Sequence, residues 1–296
     1  MLLAAGGAVG FASKGIFAKF LYARGMSVET LLALRSSLSL PIMWWWVLWL
    51  RGWRSIRAAS ARAIVGAAVG GVTCYCVGAL LNFSALTMLP ASVERVILFS
   101  YPAMIVLAGM LMGRGSPSAR AVIAIVLTYL GIFLTVGGFD VSLLQANSTG
   151  TVYVLICAAT YAFYFLVSER YVGTLGSQQF ALYAMTAAGI ALIALFSVRQ
   201  GWGHLHMELA DWGLMAGLVV FATVLPMFMA AEGVRRIGAQ RAALAGTIGP
   251  VATLALATLL LGERLQSTQL AGSALIVIGI LVLELKRAVV VTETTA

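Results

Sequence analysis

Three charged side chains lie inside long apolar stretches of the sequence, where a charge is rare and costly. Lys14 is near the middle of the first stretch, Arg35 about two turns into the second, and Glu94 about one turn into the fourth. A basic side chain at the centre of a bilayer costs about 2.5–3.5 kcal/mol on insertion scales, so Lys14 should face the protein interior or a wet cavity. We expect Lys14 to be a counter-charge for a bound solute or a gating contact, and Arg35 and Glu94 to form an ion pair that acts as a gate. A structural lysine and a purely structural pair are the alternatives.

Polar and aromatic side chains recur at helical spacing inside several stretches, which indicates faces that point away from lipid. They form one set in the third stretch, one in the sixth and one before each of two prolines: Tyr75, Gly78 and Asn82; Tyr161, Tyr164 and Phe165; Ser100 and Tyr101 before Pro102; and Thr247 before Pro250. Together with Lys14 they predict a substrate cavity lined by tyrosine and phenylalanine, with few fixed charges. Such a cavity suits a neutral, partly apolar solute such as an amino acid. Ordinary packing residues are the alternative.

The two prolines in this set, Pro102 and Pro250, lie 148 residues apart, half the length of the chain. A proline inside a helix removes a backbone hydrogen bond and kinks the helix. Paired interruptions in the two halves of a membrane protein point to a central site and to moving parts. We therefore predict that Pro102 and Pro250 are hinges, with simple packing as the alternative.

The composition places all of these residues in a membrane. Of 296 residues, 61% are apolar and 10% are charged, and the mean hydropathy is +1.00. An average soluble domain is roughly 45–50% apolar and about 25% charged, so a soluble protein is excluded. The apolar runs are too long for the alternating strands of a β-barrel, and the predicted fold class is an all-α polytopic membrane protein. Ten transmembrane helices are expected, near 2–22, 29–50, 63–86, 91–112, 118–137, 150–170, 178–198, 211–234, 239–261 and 267–286.

Lysine and arginine are distributed unevenly between the two sides of this arrangement. Four lie on one side, whereas twelve lie on the side that holds both termini: Arg51, Arg54, Arg57, Arg62, Arg114, Arg120, Arg170, Arg235, Arg236, Arg241, Lys286 and Arg287. By the positive-inside rule the richer side is cytoplasmic. The predicted location is a bacterial inner membrane, with both termini in the cytoplasm.

The two halves of the chain resemble each other at a constant offset. Ala91 precedes Pro102 by 11 residues, and Ala239 precedes Pro250 by the same distance, 148 residues later. Five helices per half is an odd number, so the second half must be inverted relative to the first. Inverted repeats around a central cavity are typical of secondary transporters. We expect a first repeat at 1–137, a connecting loop at 138–149, a second repeat at 150–287 and a cytoplasmic tail at 288–296.

Two stretches resemble the EamA-type domain of the drug/metabolite transporter superfamily: AALAGTIGPVATLALATLLLGERLQSTQLAGSALIVIGILVL at 242–283 and LLALRSSLSL around Arg35. The resemblance covers nearly the whole chain as two repeats, although MGRGSP at 112–117 departs from LGERLQ at 261–266. It implies ten helices, cytoplasmic termini and export of small metabolites. The overall pattern is most similar to bacterial aromatic amino-acid exporters.

Motifs for other kinds of function are missing from the sequence. It has no nucleotide-binding loop, no nucleophile–base constellation, and no metal-ligand set around His204 and His206. Neither an enzyme nor a cofactor is expected. The expected partners are a small-molecule substrate and the lipid bilayer, without nucleic acid, and the expected state is a monomer or a weak homodimer.

The function predicted from these patterns is export of amino acids, aromatic ones included, by alternating access. Cationic drugs or nucleotide-sugar-like metabolites are the alternative substrates. A membrane-embedded enzyme or a channel is the alternative from another class of protein.

Overall fold

A computed structural model describes residues 2–57, 60–113, 118–203, 205 and 207–293, and the side chains within these ranges except at 50–57, 231, 234–235, 237–244 and 283–293. Arg114, His204 and His206 lie outside the described residues. In the described part every regular element is helical, which confirms the predicted all-α fold. The α-helices are α1 (Leu2–Ala12), α2 (Lys14–Ala23), α3 (Val28–Arg57), α4 (Ala61–Gly71), α5 (Ala79–Ala85), α6 (Ala91–Leu98), α7 (Tyr101–Leu111), α8 (Ala119–Val136), α9 (Val141–Leu175), α10 (Ser177–Arg199), α11 (Leu209–Val219), α12 (Leu225–Gly246), α13 (Ile248–Leu261) and α14 (Ser267–Glu293).

The lengths and composition of these helices fit a protein that crosses a membrane many times. Among the described residues, seven helical segments are long and apolar enough to span a bilayer: Val28–Trp49, Ala61–Ala85, Ala91–Leu111, Ala119–Val136, Val141–Leu175, Ser177–Arg199 and Leu209–Ala230. Two further apolar helices, Ile248–Leu261 and Ser267–Val282, are shorter. The first predicted span is divided between α1 and α2. The count of ten spans stays a prediction.

Most of the predicted connecting loop at 138–149 is helical, because α9 begins at Val141. Its start is stabilised by Asp140, whose carboxylate accepts hydrogen bonds from the backbone N–H groups of Ser142 and Leu143. The Ser142 hydroxyl also donates to this carboxylate, at 2.6 Å, and this hydrogen bond, together with those from the backbone, lowers the pKa of the Asp140 carboxyl. A side-chain oxygen at this position satisfies N–H groups that have no partner within the helix. The chain therefore turns at Gly137 and Gly138, both of which have positive φ, rather than through a long loop.

Close backbone contact joins α8 to α14. A Cβ atom at Gly131 would lie 2.7 Å from the carbonyl oxygen of Gly272 and 2.6 Å from the side chain of Ile276. Only glycine fits at that distance, so the two helices pack with their backbones almost touching, as small residues allow in membrane proteins. Elsewhere α1 packs on α12, and α10 packs on both α3 and α4.

Two π-helical segments interrupt otherwise continuous helices. The first, π1 (Val72–Gly78), joins α4 to α5, and the second, π2 (Val220–Val224), joins α11 to α12. Such segments are rare and often occur at functional sites. A further break at Ser13 separates α1 from α2, so that Lys14 is the first residue of α2. Tyr75 of π1, Thr223 of π2 and Lys14 beside the break at Ser13 all line the same cavity.

Candidate functional site

A cavity of about 360 Å³ lies inside the helical bundle. Ligand pockets typically measure roughly 300–1,000 Å³, so this one suits a small solute. Helices before residue 138 and helices after residue 140 both contribute side chains to its wall.

Most of the side chains that the sequence predicts for a central site lie in this wall. They are Lys14, Arg35, Tyr75, Asn82, Tyr101, Pro102, Tyr161, Phe165 and Thr247. They come from distant parts of the chain and from both halves. That these residues bind a substrate stays a prediction.

Three other predicted lining residues are packed behind the wall. Gly78 lies against Thr160 of α9, where a side chain would collide. Ser100 is fully buried, and its hydroxyl oxygen has no hydrogen-bond partner among the described residues. Tyr164 is buried between Tyr75, whose ring centroid is 5.0 Å away, and Phe180. Their placement indicates packing rather than contact with a solute in this conformation.

A hydrogen-bonded chain links Lys14 to Glu94 through Asn82. The Lys14 Nζ donates to Asn82 Oδ1 at 2.6 Å, and Asn82 Nδ2 donates to Glu94 Oε1. Asn82 and Glu94 are almost fully buried. A buried charge is tolerated when it is paired and hydrogen-bonded, and here one amide connects the two opposite charges. The three residues bring α2, α5 and α6 together at the cavity.

The predicted gate between Arg35 and Glu94 is not formed in this structure. Glu94 accepts the hydrogen bond from Asn82, whereas the Arg35 guanidinium carbon lies 5.0 Å from the ring centroid of Phe83. The Lys14 Nζ lies 5.2 Å from the same ring. Both distances suit a cation–π interaction, so Phe83 takes the place that the carboxylate was expected to fill. A gate formed by this pair in another conformation stays a prediction.

Arg95, the neighbour of Glu94, adds a third cation to the cavity wall. Its guanidinium carbon lies 5.1 Å from the ring centroid of Phe99, and its buried Nε has no hydrogen-bond partner in the described part of the chain. Lys14 interacts electrostatically with Arg95 and with Arg35. The cavity therefore carries more fixed charge than the sequence predicts.

The rest of the wall is largely aromatic. Tyr101 stacks on Phe165, with ring centroids 5.3 Å apart and planes inclined by 10°. Tyr161 lies 5.9 Å from Tyr101 and 6.4 Å from Tyr75. These rings offer flat apolar surfaces next to the cations, an arrangement suited to a solute with an aromatic or aliphatic body and a polar end.

Both predicted hinge prolines directly follow an interruption between two helices. Pro102 is the second residue of α7 and follows the break at Phe99 and Ser100. Pro250 is the third residue of α13 and follows the break at Thr247. A proline is well accommodated in the first turn of a helix but cannot continue a preceding one. Pro102 lines the cavity and Pro250 is buried; their role as hinges stays a prediction.

Sequence reasoning missed several residues of the wall, among them Phe83, Phe99, Met185 and Met227. Each is an apolar residue in an apolar stretch of the sequence, so its type and spacing do not distinguish it from a lipid-facing residue. Arg95 carries a signal, because a charge within a span is expected to face the interior.

Ion pairs close one end of the bundle. Arg24, which follows α2, contacts both Glu208 at 2.5 Å and Asp211 at the start of α11. Glu29 in the first turn of α3 accepts a hydrogen bond at 2.8 Å from Arg199 at the end of α10. Each contact joins an element of the first half to an element of the second half.

Glu263, which follows α13, closes the same end at another point. Its carboxylate accepts hydrogen bonds from the backbone N–H of Ala91 at 2.6 Å and from the Ser92 hydroxyl at 2.5 Å. An anion is favoured at this helix start. In the other direction the cavity wall reaches Ala181, near the start of α10, and Gly246, at the end of α12. The cavity therefore extends toward the end of the bundle opposite the ion pairs.

Comparisons with known proteins agree on the class of protein. The EamA-like transporter family matches residues 1–137 and 148–285. "Uncharacterized transporter YcbK" from Bacillus subtilis (strain 168) is 34% identical over 271 residues, which cover 90% of this chain and 86% of the relative. "Uncharacterized transporter sll1319" from Synechocystis sp. is 26% identical over 213 residues, 70% of this chain and 63% of the relative. One solved crystal structure shares the fold, with a TM-score of 0.65, 18% identity and 96% of both chains covered.

The link from Lys14 to Asn82 is expected to stabilise the protein. Lys14→Met and Asn82→Leu each leave buried polar groups without a partner, which costs about 1–3 kcal/mol. Either change breaks the same contact. The loss of unfolding free energy in the double variant should therefore be smaller than the sum of the two single losses, by about 0.5–3 kcal/mol. Unfolding of the purified protein in detergent measures these free energies.

Asn147 provides the matched control for this cycle. It is a buried asparagine that donates to the carbonyl of Val136 at 2.7 Å, a hydrogen bond that does not involve Lys14, Asn82 or Glu94. When Lys14→Met is combined with Asn147→Leu, the loss of unfolding free energy should equal the sum of the two single losses within about 0.5 kcal/mol. Equal additivity in both cycles would contradict the coupling of Lys14 to Asn82.

Proposed function

The chain belongs to the EamA-like transporter family, and we propose that it exports small metabolites across a bacterial inner membrane. In this proposal ten transmembrane helices form two inverted repeats, at 1–137 and 150–287, that move against each other and open the cavity to each side in turn. Both termini and the tail at 288–296 face the cytoplasm. The excess of lysine and arginine on that side supports the orientation.

Matching elements in the two halves support the repeat. Three pairs of elements begin 148 residues apart, the offset that also separates the two hinge prolines: Ala61 and Leu209, Val72 and Val220, and Ala119 and Ser267. The second pair marks the starts of π1 and π2. An offset shared by helix starts and by rare π segments is expected if the halves have a common architecture.

The contacts at the closed end support movement of one half against the other. Arg24 with Glu208, Glu29 with Arg199, and Glu263 with the start of α6 all join a residue before 138 to a residue after 150. Opening this end requires the two halves to separate there. Closing the opposite end would enclose a solute held between them.

The single observation that carries the proposed function is the cavity between the two halves, with aromatic walls and a cluster of cations. We propose amino acids, aromatic ones included, as the substrates. Stacked rings such as Tyr101 and Phe165 would contact the side chain of the substrate, and the cations would contact its carboxylate.

Of the alternative substrates, an anion of the nucleotide-sugar kind is favoured by the same cations. A cationic drug is disfavoured, because Lys14, Arg35 and Arg95 line the cavity and would repel a further cation placed among them.

Counterflow in proteoliposomes tests the proposed function. Vesicles loaded with one unlabelled amino acid are expected to accumulate the labelled form of the same compound transiently, because an alternating carrier exchanges bound solutes across the membrane. The panel comprises phenylalanine, tryptophan, methionine, leucine and threonine, with a quaternary cation and a nucleotide sugar as competitors. Protein-free vesicles are the control.

Protein-dependent exchange of amino acids that the nucleotide sugar does not inhibit is the expected result. Exchange of the nucleotide sugar alone would contradict amino acids as the substrate class but would still support transport by an alternating carrier. The proposed function would be contradicted if no solute is exchanged by protein whose cooperative unfolding transition shows that it is folded.

The prolines test the proposed motion. Pro102→Ala and Pro250→Ala restore a backbone N–H and remove the ring that prevents a continuous helix, so each should slow maximal exchange several-fold if the helix breaks act as hinges. Pro41→Ala is the matched control, since Pro41 lies on an exposed face within the continuous helix α3. Maximal counterflow rates per amount of protein give the comparison, and equal rates for all three variants and the parent protein would assign the prolines to packing.

A further inference from the structure

The side chains that line the described cavity and carry a charge at neutral pH are all cationic: Lys14, Arg35 and Arg95. Building on the transport role proposed above, we propose that this cavity selects organic carboxylates, with Arg95 as the direct ligand of the carboxylate. The inference goes beyond amino acids, because it makes the carboxylate the required group and the ammonium dispensable.

Arg95 is the cation with an unused donor. Its Nε is buried without a hydrogen-bond partner in the described part of the chain, and contact with Phe99 holds the guanidinium at the cavity wall. A buried donor without a partner is unfavourable, so a carboxylate that reaches the Arg95 guanidinium from the cavity supplies an acceptor that the described residues do not provide. The planar guanidinium matches a carboxylate, which it can bind through two parallel hydrogen bonds.

Lys14 and Arg35 have no buried donor without a partner in the described part of the chain, so we assign them mainly a contribution of charge. Lys14 donates to Asn82, and Arg35 lies on the ring of Phe83. The carboxylate closest to this cluster along the hydrogen-bonded chain is Glu94, which accepts from Asn82 and does not line the cavity. Three cations against one carboxylate leave an excess of positive charge, which favours binding of an anion.

The cavity wall contains no carboxylate to receive an ammonium group, among the residues that line it in the described structure. Rings such as Tyr101 and Phe165 and the side chain of Met185 line the cavity together with the cations. An aromatic or aliphatic body fits that surface. A deaminated acid should therefore bind at least as well as the corresponding amino acid.

Four compounds that share a benzyl group separate these contributions: L-phenylalanine, 3-phenylpropionate, L-phenylalaninamide and 2-phenylethylamine. Their binding to the purified full chain in detergent is measured from the shift in thermal unfolding as a function of ligand concentration, which reports binding without requiring transport. Both acids should bind at least tenfold more tightly than the amide and the amine, and 3-phenylpropionate at least as tightly as phenylalanine.

Variants locate the carboxylate ligand. Arg95→Gln should weaken binding of both acids at least tenfold, and Arg95→Lys should weaken it less because the charge remains. Arg120→Gln is the matched control, since Arg120 lies exposed in the first turn of α8 and does not line the cavity. This variant should bind all four compounds with the same affinities as the parent protein.

The outcomes distinguish this inference from the proposed function. Equal binding of acid and amide by the parent protein would overturn the inference, even if an amino acid is exchanged in vesicles. Unchanged acid binding in Arg95→Gln would overturn the role of Arg95. Tight acid binding without exchange of any solute would support the inference and contradict the proposed function. If Arg95→Gln does not fold, binding of the four compounds to the parent protein still tests the requirement for a carboxylate, and binding to Arg95→Lys still tests the role of Arg95.

Discussion

The buried charge of Lys14 is the constraint on which the central site depends. An ammonium group inside a membrane-spanning bundle needs hydrogen bonds and a nearby negative charge. Asn82 supplies the hydrogen bond and passes the link to Glu94, which fixes α2, α5 and α6 relative to one another. Successive residues on a helix point about 100° apart, so Glu94 can face Asn82 within the wall while its neighbour Arg95 faces the cavity. The arrangement that neutralises Lys14 thus leaves a second cation available.

The closed end of the bundle is held by contacts that can be broken at low cost. The Arg199 side chain is 63% exposed and that of Glu208 is 80% exposed, and exposed ion pairs contribute only about 0–1 kcal/mol each. Glu263, which binds two groups at the start of α6, adds a stronger charge-assisted contact. Because these contacts join the two halves of the chain, changes in their free energy would shift the balance between the open and closed states of the proposed transport cycle.

The sequence predicts the membrane fold and most of the polar side chains of the cavity wall for one physical reason. Polar or charged side chains such as Lys14 and Asn82 are too costly in lipid, so their types alone place them inside the bundle. Which polar side chains pair with each other depends on the distances between them in the folded bundle, and the sequence does not contain those distances. Asn82 rather than Arg35 therefore takes the Glu94 carboxylate, and Phe83 carries no signal that separates it from lipid-facing phenylalanines. The segment at 138–149 looks like a loop because it is polar, yet the cap at Asp140 makes most of it helical.

The central claim is that the cavity binds a solute and opens to the cytoplasm. Labelling of a cysteine placed in the cavity wall, with and without a bound solute, tests this claim most directly. Ala181 lines the cavity near the end opposite the ion pairs, whereas Ala184, one turn along α10, is fully buried outside it. In a background without the three buried native cysteines, Ala181→Cys should react with a membrane-impermeant thiol reagent from the cytoplasmic side, and a saturating solute found to bind should slow the reaction. Ala184→Cys should remain unreactive. Labelling of Ala181→Cys at the same rate with and without solute, or from neither side, would contradict a solute-binding cavity that opens to the cytoplasm.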